Sequence, residues 1–355
     1  MKHSILLTGS TGYLGTHLVS KLLRQANVER ILCPTRKESP ELFWESFASS
    51  SKQYDLKLNV SDLKSKIEPI KIDLVANRNS LLKSLEPYNK TVTVVHNLAC
   101  EANYGVPIDF FKPWMEITEQ LTEFCMDSKY PKQLLSTGSY GHYLLDHKHA
   151  AEDYYWINGY FGYKKWLNTY LSKKFSQGLK GVLFEPAYVV GRFDPGQSYM
   201  FWRVARIFAA LEYAFQYKML LTPIDMIMDN YMLALNSPDA VPNILSPFIP
   251  EPFDLPKLIQ KLVPNLKLVD YEMFRKEVDE KLAKRSKYFG PNLVHCMKEV
   301  EKKTKAVFHP LYDISKYNNI DAAAYFFSCG SLKEALQLGQ KDKLGFQNNK
   351  QKQAN

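Results

Sequence analysis

Cysteine is scarce in this sequence. Its five residues, Cys33, Cys100, Cys125, Cys296 and Cys329, are odd in number, scattered and never spaced as CxxC. That excludes a disulfide-stapled scaffold and reads as reduced thiols in a cytoplasmic protein. Long apolar runs are also missing, since none approaches the ~20 residues that span a bilayer. The amino end lacks the form of a secretory signal: Met1-Lys2-His3-Ser4 leads only into Ile5-Leu6-Leu7 and then Thr8-Gly9. There is no internal repeat and no metal-ligand spacing. His147-Lys148-His149 has no carboxylate or cysteine in register and reads as a solvated loop. Neither sign of charge dominates. The excess of 46 Lys+Arg over 37 Asp+Glu leaves +9, which admits an acidic partner (nucleic acid, anionic lipid or protein) without selecting one.

What is present is a chain of 355 residues, 45% hydrophobic and 23% charged. That suits one large or two unequal domains and excludes a mostly disordered chain. Ile5-Leu6-Leu7 is a buried-strand signal that runs directly into Thr8-Gly9-Ser10-Thr11-Gly12-Tyr13-Leu14-Gly15. Leu14, Leu18, Val19, Leu22 and Leu23 then recur at helical spacing. Glycines at GxxGxxG between strand and helix have a physical use. The first permits a tight turn, the second admits a pyrophosphate against the backbone, and the third lets helix and sheet approach, while the helix N-terminus attracts the anion. The pattern predicts a dinucleotide site. A second strand at 30–34 ends on Thr35-Arg36-Lys37, where an NAD site usually carries Asp or Glu for the ribose 2′-hydroxyl. Arg36 and Lys37 offer positive charge for a 2′-phosphate instead, which points to NADP(H).

Strand and helix signals then alternate. Residues 40–66 look mostly helical, broken near Ser49-Ser50-Ser51; short strands follow at 70–74, 92–95, 133–135 and 181–184, with helices at 108–127 and about 158–177. The alternation predicts an α/β fold with a doubly wound parallel sheet, its ligands at the carboxyl ends of the strands. Asp73, Asn97, Thr137 and Pro186 each sit at such an end. After Pro186 the rhythm breaks into an aromatic-rich helix at 200–216, a helix opened by Thr222-Pro223-Ile224-Asp225, a proline-rich connection at 242–256 and charged helices at 255–304. The expected organisation is a nucleotide-binding domain over 1–240, with 192–220 leaning to the substrate side. A smaller, mostly helical substrate-capping domain follows over 241–338, and then a disordered polar tail over 339–355. Phe201, Trp202 and the aromatics of 208–215 read as core at helical spacing, with an acyl channel as the alternative. The cations of 276–287, with Lys302, Lys303 and Lys305, read as a solvated face or as a dock for an acidic carrier.

The reacting groups are sought in Asn158-Gly159-Tyr160-Phe161-Gly162-Tyr163-Lys164-Lys165-Trp166. Tyr160 and Lys164 are four apart and share a helix face. A tyrosine hydroxyl can give its proton to a carbonyl oxygen as hydride arrives, and a lysine ammonium nearby lowers its pKa and can hold the nicotinamide ribose. Thr137, at a strand end, is placed to hold the carbonyl oxygen, and Ser136 and Ser139 compete for that role. Cys100 reads as a small buried residue in preference to a nucleophile.

Taken together, ILLTGSTGYLG, the Arg36 strand end, Ile72-Asp73-Leu74, VVHNLA, LLSTGS, YFGYK, FEPAYVVG over 184–191 and TPIDMI over 222–227 resemble the extended short-chain dehydrogenase/reductases. Within them the likeness is to the thioester-reductase-like group, which includes terminal reductase domains of peptide synthetases, carboxylic acid reductases and fatty acyl-CoA reductases. The likeness covers about residues 4–240 and implies a Rossmann sheet. It further implies that Gly9, Thr11, Gly12, Tyr13, Leu14 and Gly15 bind the pyrophosphate, that Arg36 meets the 2′-phosphate and that Asp73 and Leu74 flank adenine. Ala99 would line the cofactor cleft, Thr137, Tyr160 and Lys164 would be the catalytic trio, and Pro186, Ala187 and Tyr188 would lie near the nicotinamide. The implied activity is NADPH-dependent reduction of an acyl thioester, held by coenzyme A or an acidic carrier protein, to an aldehyde or alcohol. Reduction of another carbonyl (a sugar nucleotide, steroid or polyketide) is the enzymatic alternative. A cofactor-binding regulatory or scaffold protein is the non-enzymatic one, and nucleic acid is not an expected partner. The family's usual Lys-Trp pair leaves a second register open, in which Trp166 makes Lys165 the lysine and puts Phe161 where tyrosine belongs. Glu185 stands where the family usually has arginine, and Met115 where asparagine is common.

Overall fold

A computed structural model describes residues 2–58, 63–102, 106–145, 159–191 and most of 208–276. The strands are β1 (His3–Thr8), β2 (Val28–Thr35), β3 (Ile67–Lys71), β4 (Val94–Asn97), β5 (Gln133–Thr137), β6 (Gly181–Phe184), β7 (Tyr188–Val190), β8 (Tyr213–Phe215), β9 (Lys218–Met219), β10 (Leu221–Pro223), β11 (Ile244–Leu245), β12 (Phe253–Asp254) and β13 (Lys267–Val269). The helices that matter here are α1 (Tyr13–Leu22), α2 (Pro40–Gln53), α3 (Leu81–Leu85), α4 (Lys112–Cys125), α5 (Gly159–Ser176), α6 (Ile224–Asn236) and α7 (Leu255–Leu262).

Seven strands form one parallel sheet in the order β11-β6-β5-β4-β1-β2-β3. The chain winds outward in one direction from β1 through β2 and β3, then returns to lay β4, β5 and β6 on the other side. The reversal opens a crevice at the carboxyl ends of β1 and β4. Because helices cover both faces, strand interiors are apolar on both sides: Ile5, Leu6 and Leu7 are each 0% exposed, and Leu32, Val95, Leu134 and Leu183 are also buried. Burial of each such side chain stabilises the fold by about 1.5–3 kcal/mol. The doubly wound α/β expectation therefore holds.

Boundaries differ from the expectation in instructive ways. β3 ends at Lys71, so Asp73 and Leu74 lie in a turn beyond it and not at the strand's end. The cause is Asp73 itself, whose Oδ1 accepts from the N–H groups of Val75 and Ala76, both at 3.0 Å, and closes the turn. α2 runs through the three serines that seemed to break it. Ser50 Oγ donates to Thr11 O at 3.0 Å and Ser51 Oγ to Leu56 O at 2.9 Å, so these hydroxyls serve tertiary and terminal contacts and leave the helix's own ladder intact. The helix stops instead at Asp55, whose φ of 55° is left-handed. The proline-rich connection contains β11, the sheet's seventh strand, too short to show in a sequence pattern. Residues 213–215, expected as helix, pair as β8 with β13, and 267–269 likewise leaves the expected charged helices. His147-Lys148-His149, Phe201-Trp202 and the cations from 277 onward fall outside the described residues.

The chain divides into two units that alternate along the sequence, residues 1–186 with 224–247, and residues 187–223 with 248–355. The first holds the large sheet. The second, in its described part, contains α7, three two-stranded pairings and a buried cluster of Phe208, Phe215 and Phe274, with ring centroids 5.0 to 5.8 Å apart.

One core residue makes a pH-dependent contribution. His96 on β4 is 0% exposed, and neither ring nitrogen has a hydrogen-bond partner among the described residues. Burial pushes its pKa down from 6.5 to about 3. The unfolded chain thus takes up a proton that the folded core refuses, and stability falls as pH drops below 6.5, by at most about 1.4 kcal/mol per pH unit from this one group. Urea unfolding between pH 7.5 and 5 should show a shallower pH slope for His96→Leu than for wild type; equal slopes would refute the assignment.

Candidate active site

The loop after β1 is built by contacts that only glycine permits. Gly9 has φ of +71°, and a Cβ there would fall 3.1 Å from Ala99 N. A Cβ on Gly15 would fall 2.1 Å from Gly9 O and 2.7 Å from Ser10 Cα, so α1 packs against the loop without a side chain between them. Gly12 donates its N–H to Gly9 O at 3.1 Å and is the N-cap of α1, which has no side-chain cap. The first-turn N–H groups, those of Tyr13 and Leu14 included, therefore face the loop without an internal acceptor, the arrangement that binds an anion. The Tyr13 side chain turns inward against His17 and Tyr54, with centroids 4.8 and 5.0 Å away, so only its backbone is available to a ligand. Thr11 is half-buried and gives its carbonyl to Ser50.

Thr8 ties the two sides of the crevice together. Its Oγ1 accepts from the N–H groups of Leu98 and Ala99, both at 3.1 Å, and donates to Asn97 Oδ1 at 3.1 Å. Asn97 continues the chain of bonds to Thr118 on α4 at 3.4 Å, and Thr118 meets Tyr163 OH at 3.5 Å. Asn97 is thus spent on the scaffold. Arg36, at the tip of β2, is exposed and makes no hydrogen bond or ion pair with another described residue. Leu74 packs partly against the core.

On α5, Lys164 is only 4% exposed, and its Nζ donates to Thr137 O at 2.9 Å. Burial lowers its pKa; the nearby Cys100 and Glu185 oppose that shift. Tyr160 is half-buried, with the Lys164 ammonium 5.4 Å from its ring centroid and Phe111 at 6.1 Å. Phe161 is buried, its ring standing where a side chain on Gly141 would otherwise lie. Lys165 is half-buried, and Lys164 is the lysine bonded to Thr137. The neighbouring Tyr163 is stacked on Phe111 at 5.4 Å, with its hydroxyl at Thr118 and the Lys164 ammonium 5.1 Å from its ring centroid. Burial raises the Cys100 thiol pKa, which suits a thiol and not a nucleophilic thiolate.

Several contacts here escaped the sequence reading. The Thr137 hydroxyl bonds to Tyr231 OH on α6, 94 residues away in the chain. Glu185, fully buried, accepts at Oε1 from His142 Nε2 at 2.7 Å and Asn168 Nδ2 at 2.8 Å. Helical spacing on α6 marks Tyr231 as buried but cannot name what it touches. Glu185 was visible as a family departure, without its partners. At the unit boundary Pro186 O accepts from Tyr140 N at 2.9 Å. In the second unit, Ala187 N donates to Thr222 Oγ1 at 3.0 Å and Tyr188 N to Leu220 O at 3.1 Å.

Residues 7–234 match the model of the NAD-binding male sterility protein family. The chain belongs to that family. It is a thioester-reductase-like member of the extended short-chain dehydrogenase/reductases and an oxidoreductase. Among solved structures, the terminal R domain from the myxalamid PKS-NRPS biosynthetic pathway aligns with a TM-score of 0.70 at 16% identity, covering 97% of this chain and 90% of that one. A thiolation-reductase di-domain from an archaeal non-ribosomal peptide synthetase aligns at 0.63 and 14% identity, over 84% and 89% of the two chains. Over 130 residues the sequence is 30% identical to a non-reducing polyketide synthase of Emericella nidulans, covering 35% of this chain and 5% of that protein. This male sterility family member therefore spans a small part of that polyketide synthase's length. Its glycine cradle suits the nicotinamide dinucleotide that the family binds, because the loop has no side chain to obstruct a pyrophosphate and an uncapped helix end to attract it. Among the described residues no group of His, Cys, Asp or Glu could hold a metal ion.

Overpacking such a contact costs about 1–3 kcal/mol. Gly15→Ala should weaken nicotinamide cofactor binding roughly tenfold or more, followed by fluorescence titration of the reduced cofactor, with far-UV circular dichroism unchanged.

Proposed function

We propose that this chain is an NADPH-dependent reductase of an acyl thioester carried by a carrier protein or coenzyme A. The observation that carries the reading is the buried Lys164 ammonium on the Thr137 carbonyl, with Tyr160 one helical turn before it, at the carboxyl edge of a sheet that holds a glycine cradle. When bound, the reduced nicotinamide supplies the hydride that, with one proton, takes a thioester to an aldehyde and a free thiol.

The chain's own residues do the rest. Thr137 Oγ1 holds the carbonyl oxygen and stabilises the negative charge that develops on it. Tyr160 delivers the proton at that oxygen, and the Lys164 ammonium favours the phenolate left behind. Lys164 remains useful despite its lowered pKa because Glu185 and the Thr137 carbonyl both support its charge. Collapse of the resulting tetrahedral centre expels the thiol, and a second passage of the aldehyde through the same groups would give an alcohol.

Arg36 at the tip of β2, exposed and without an ion pair among the described residues, next to the glycine loop's own strand, supports NADPH over NADH. The carrier is supported by the relatives: one aligned structure is a thiolation-reductase di-domain, and one curated relative is a polyketide synthase. The cations of 276–287 supply charge for an acidic carrier. The free thiols Cys33, Cys100 and Cys125 fit a cytoplasmic setting, and no described helix is long and apolar enough to cross a membrane.

The direct test follows NADPH oxidation with acyl-coenzyme A and acyl-carrier substrates, with aldehyde and alcohol quantified; tight NADPH binding without turnover on either would refute the reading. Tyr160→Phe should lower kcat about 100- to 10,000-fold, the range for a lost general acid, and full activity in that variant would shift the proton donor elsewhere. Arg36→Glu should cut kcat/KM for NADPH about 10- to 100-fold, as loss of a charge-assisted contact does, with the NADH value little changed.

A further inference from the structure

Tyr231 lies on the buried face of α6, its ring perpendicular to His96 at 5.5 Å and to Phe184 at 4.6 Å between centroids. Its hydroxyl bonds to Thr137 Oγ1, and that is the one hydrogen bond the phenol makes among the described residues. Tyr231 is 0% exposed and Thr137 9%. Each hydroxyl has a single proton, so only one of the two can donate in this contact. Were Thr137 the donor, the phenol proton would be left in the core without an acceptor, with the full desolvation penalty of an orphaned donor. The Thr137 proton has an outlet, since Thr137 keeps some solvent exposure, 9% against 0% for Tyr231, and its hydroxyl can turn toward water or a bound carbonyl at the end of β5. The phenol is also the stronger acid. Tyr231 therefore donates and Thr137 accepts.

We propose that Tyr231 is a positioning residue for carbonyl reduction: by donating to Thr137 Oγ1 it turns the threonine's own proton toward the substrate oxygen. A hydroxyl that already accepts a hydrogen bond is a stronger donor, so the contact polarises Thr137 as well as orienting it. Lys164 holds the Thr137 carbonyl and Tyr231 its side chain, which fixes the residue at both ends. The inference rests on the reading of Thr137 as the group that holds the carbonyl.

The test uses Tyr231→Phe, Thr137→Val and the double variant in the full chain. Thermal unfolding needs no substrate. Thr137→Val should lower Tm more than Tyr231→Phe, because it strands the buried phenol proton, and the double variant should recover Tm above Thr137→Val, since two apolar groups of matching shape leave nothing unpaired. In turnover of an acyl-coenzyme A with NADPH, Tyr231→Phe should lower kcat about tenfold, about what one charge-assisted hydrogen bond is worth in the transition state, with both KM values unchanged. The same substitution in the Thr137→Val background should cost nothing further. An equal kcat loss in both backgrounds would mark Tyr231 as packing alone and overturn the proposal, as would a reversed Tm order. Absence of turnover in wild type sinks the reading of function, and the Tm order then decides the hydrogen-bond direction by itself.

Discussion

The structure depends on what happens where β1 and β4 end side by side. Thr8 Oγ1 gathers the N–H groups of Leu98 and Ala99 and reaches Asn97, so the two strand ends that bound the crevice are held by one buried oxygen. This brings Ala99 so close to Gly9 that a Cβ there would meet its backbone nitrogen at 3.1 Å. The glycine loop must then turn with a positive φ, and α1 must start against it with no side chain at Gly15. A phosphate-binding cradle follows from a strand-end clamp that contains no phosphate chemistry of its own.

The second half of the site depends on a different device. On the far side of β4, Lys164 is brought into the interior by α5 and finds a backbone carbonyl, not a carboxylate, as its acceptor. Glu185 lies near enough to support the ammonium but is engaged by His142 and Asn168. The charge is thus held in place without being neutralised by a direct carboxylate partner.

Much of this was legible in the sequence where the code is local. GxxGxxG between a strand and a helix, and Tyr160 four residues before Lys164, are spacings that a helix converts into proximity without help from the rest of the chain. The sequence left two registers open on α5, because Phe161–Lys165 has the same spacing as Tyr160–Lys164. It takes the packing of the whole helix, with Tyr163 against Phe111 and Phe161 against Gly141, to bring Lys164 to β5. What escaped is long-range. Tyr231 meets Thr137 across 94 residues, and His142 meets Glu185 across 43. Hydroxyl placement also misled: the serines of α2 look like helix breakers until their tertiary acceptors are known, and Asp73 ends β3 by capping a turn that a hydrophobic pattern cannot show.

The alternation of the two units has a consequence for how the molecule is made. Thr137 and Lys164 leave the ribosome well before α6 and β11, and between them the chain builds the start of another unit. The nascent sheet therefore waits with β6 as a bare edge and the Thr137 hydroxyl unpaired until residues 224–247 return to it. Vectorial synthesis gives this fold no early finished intermediate, and an exposed parallel edge is where aggregation starts. The residues that pair the Thr137 hydroxyl are the same ones that cover this edge, so a nascent chain gains both contacts in a single event.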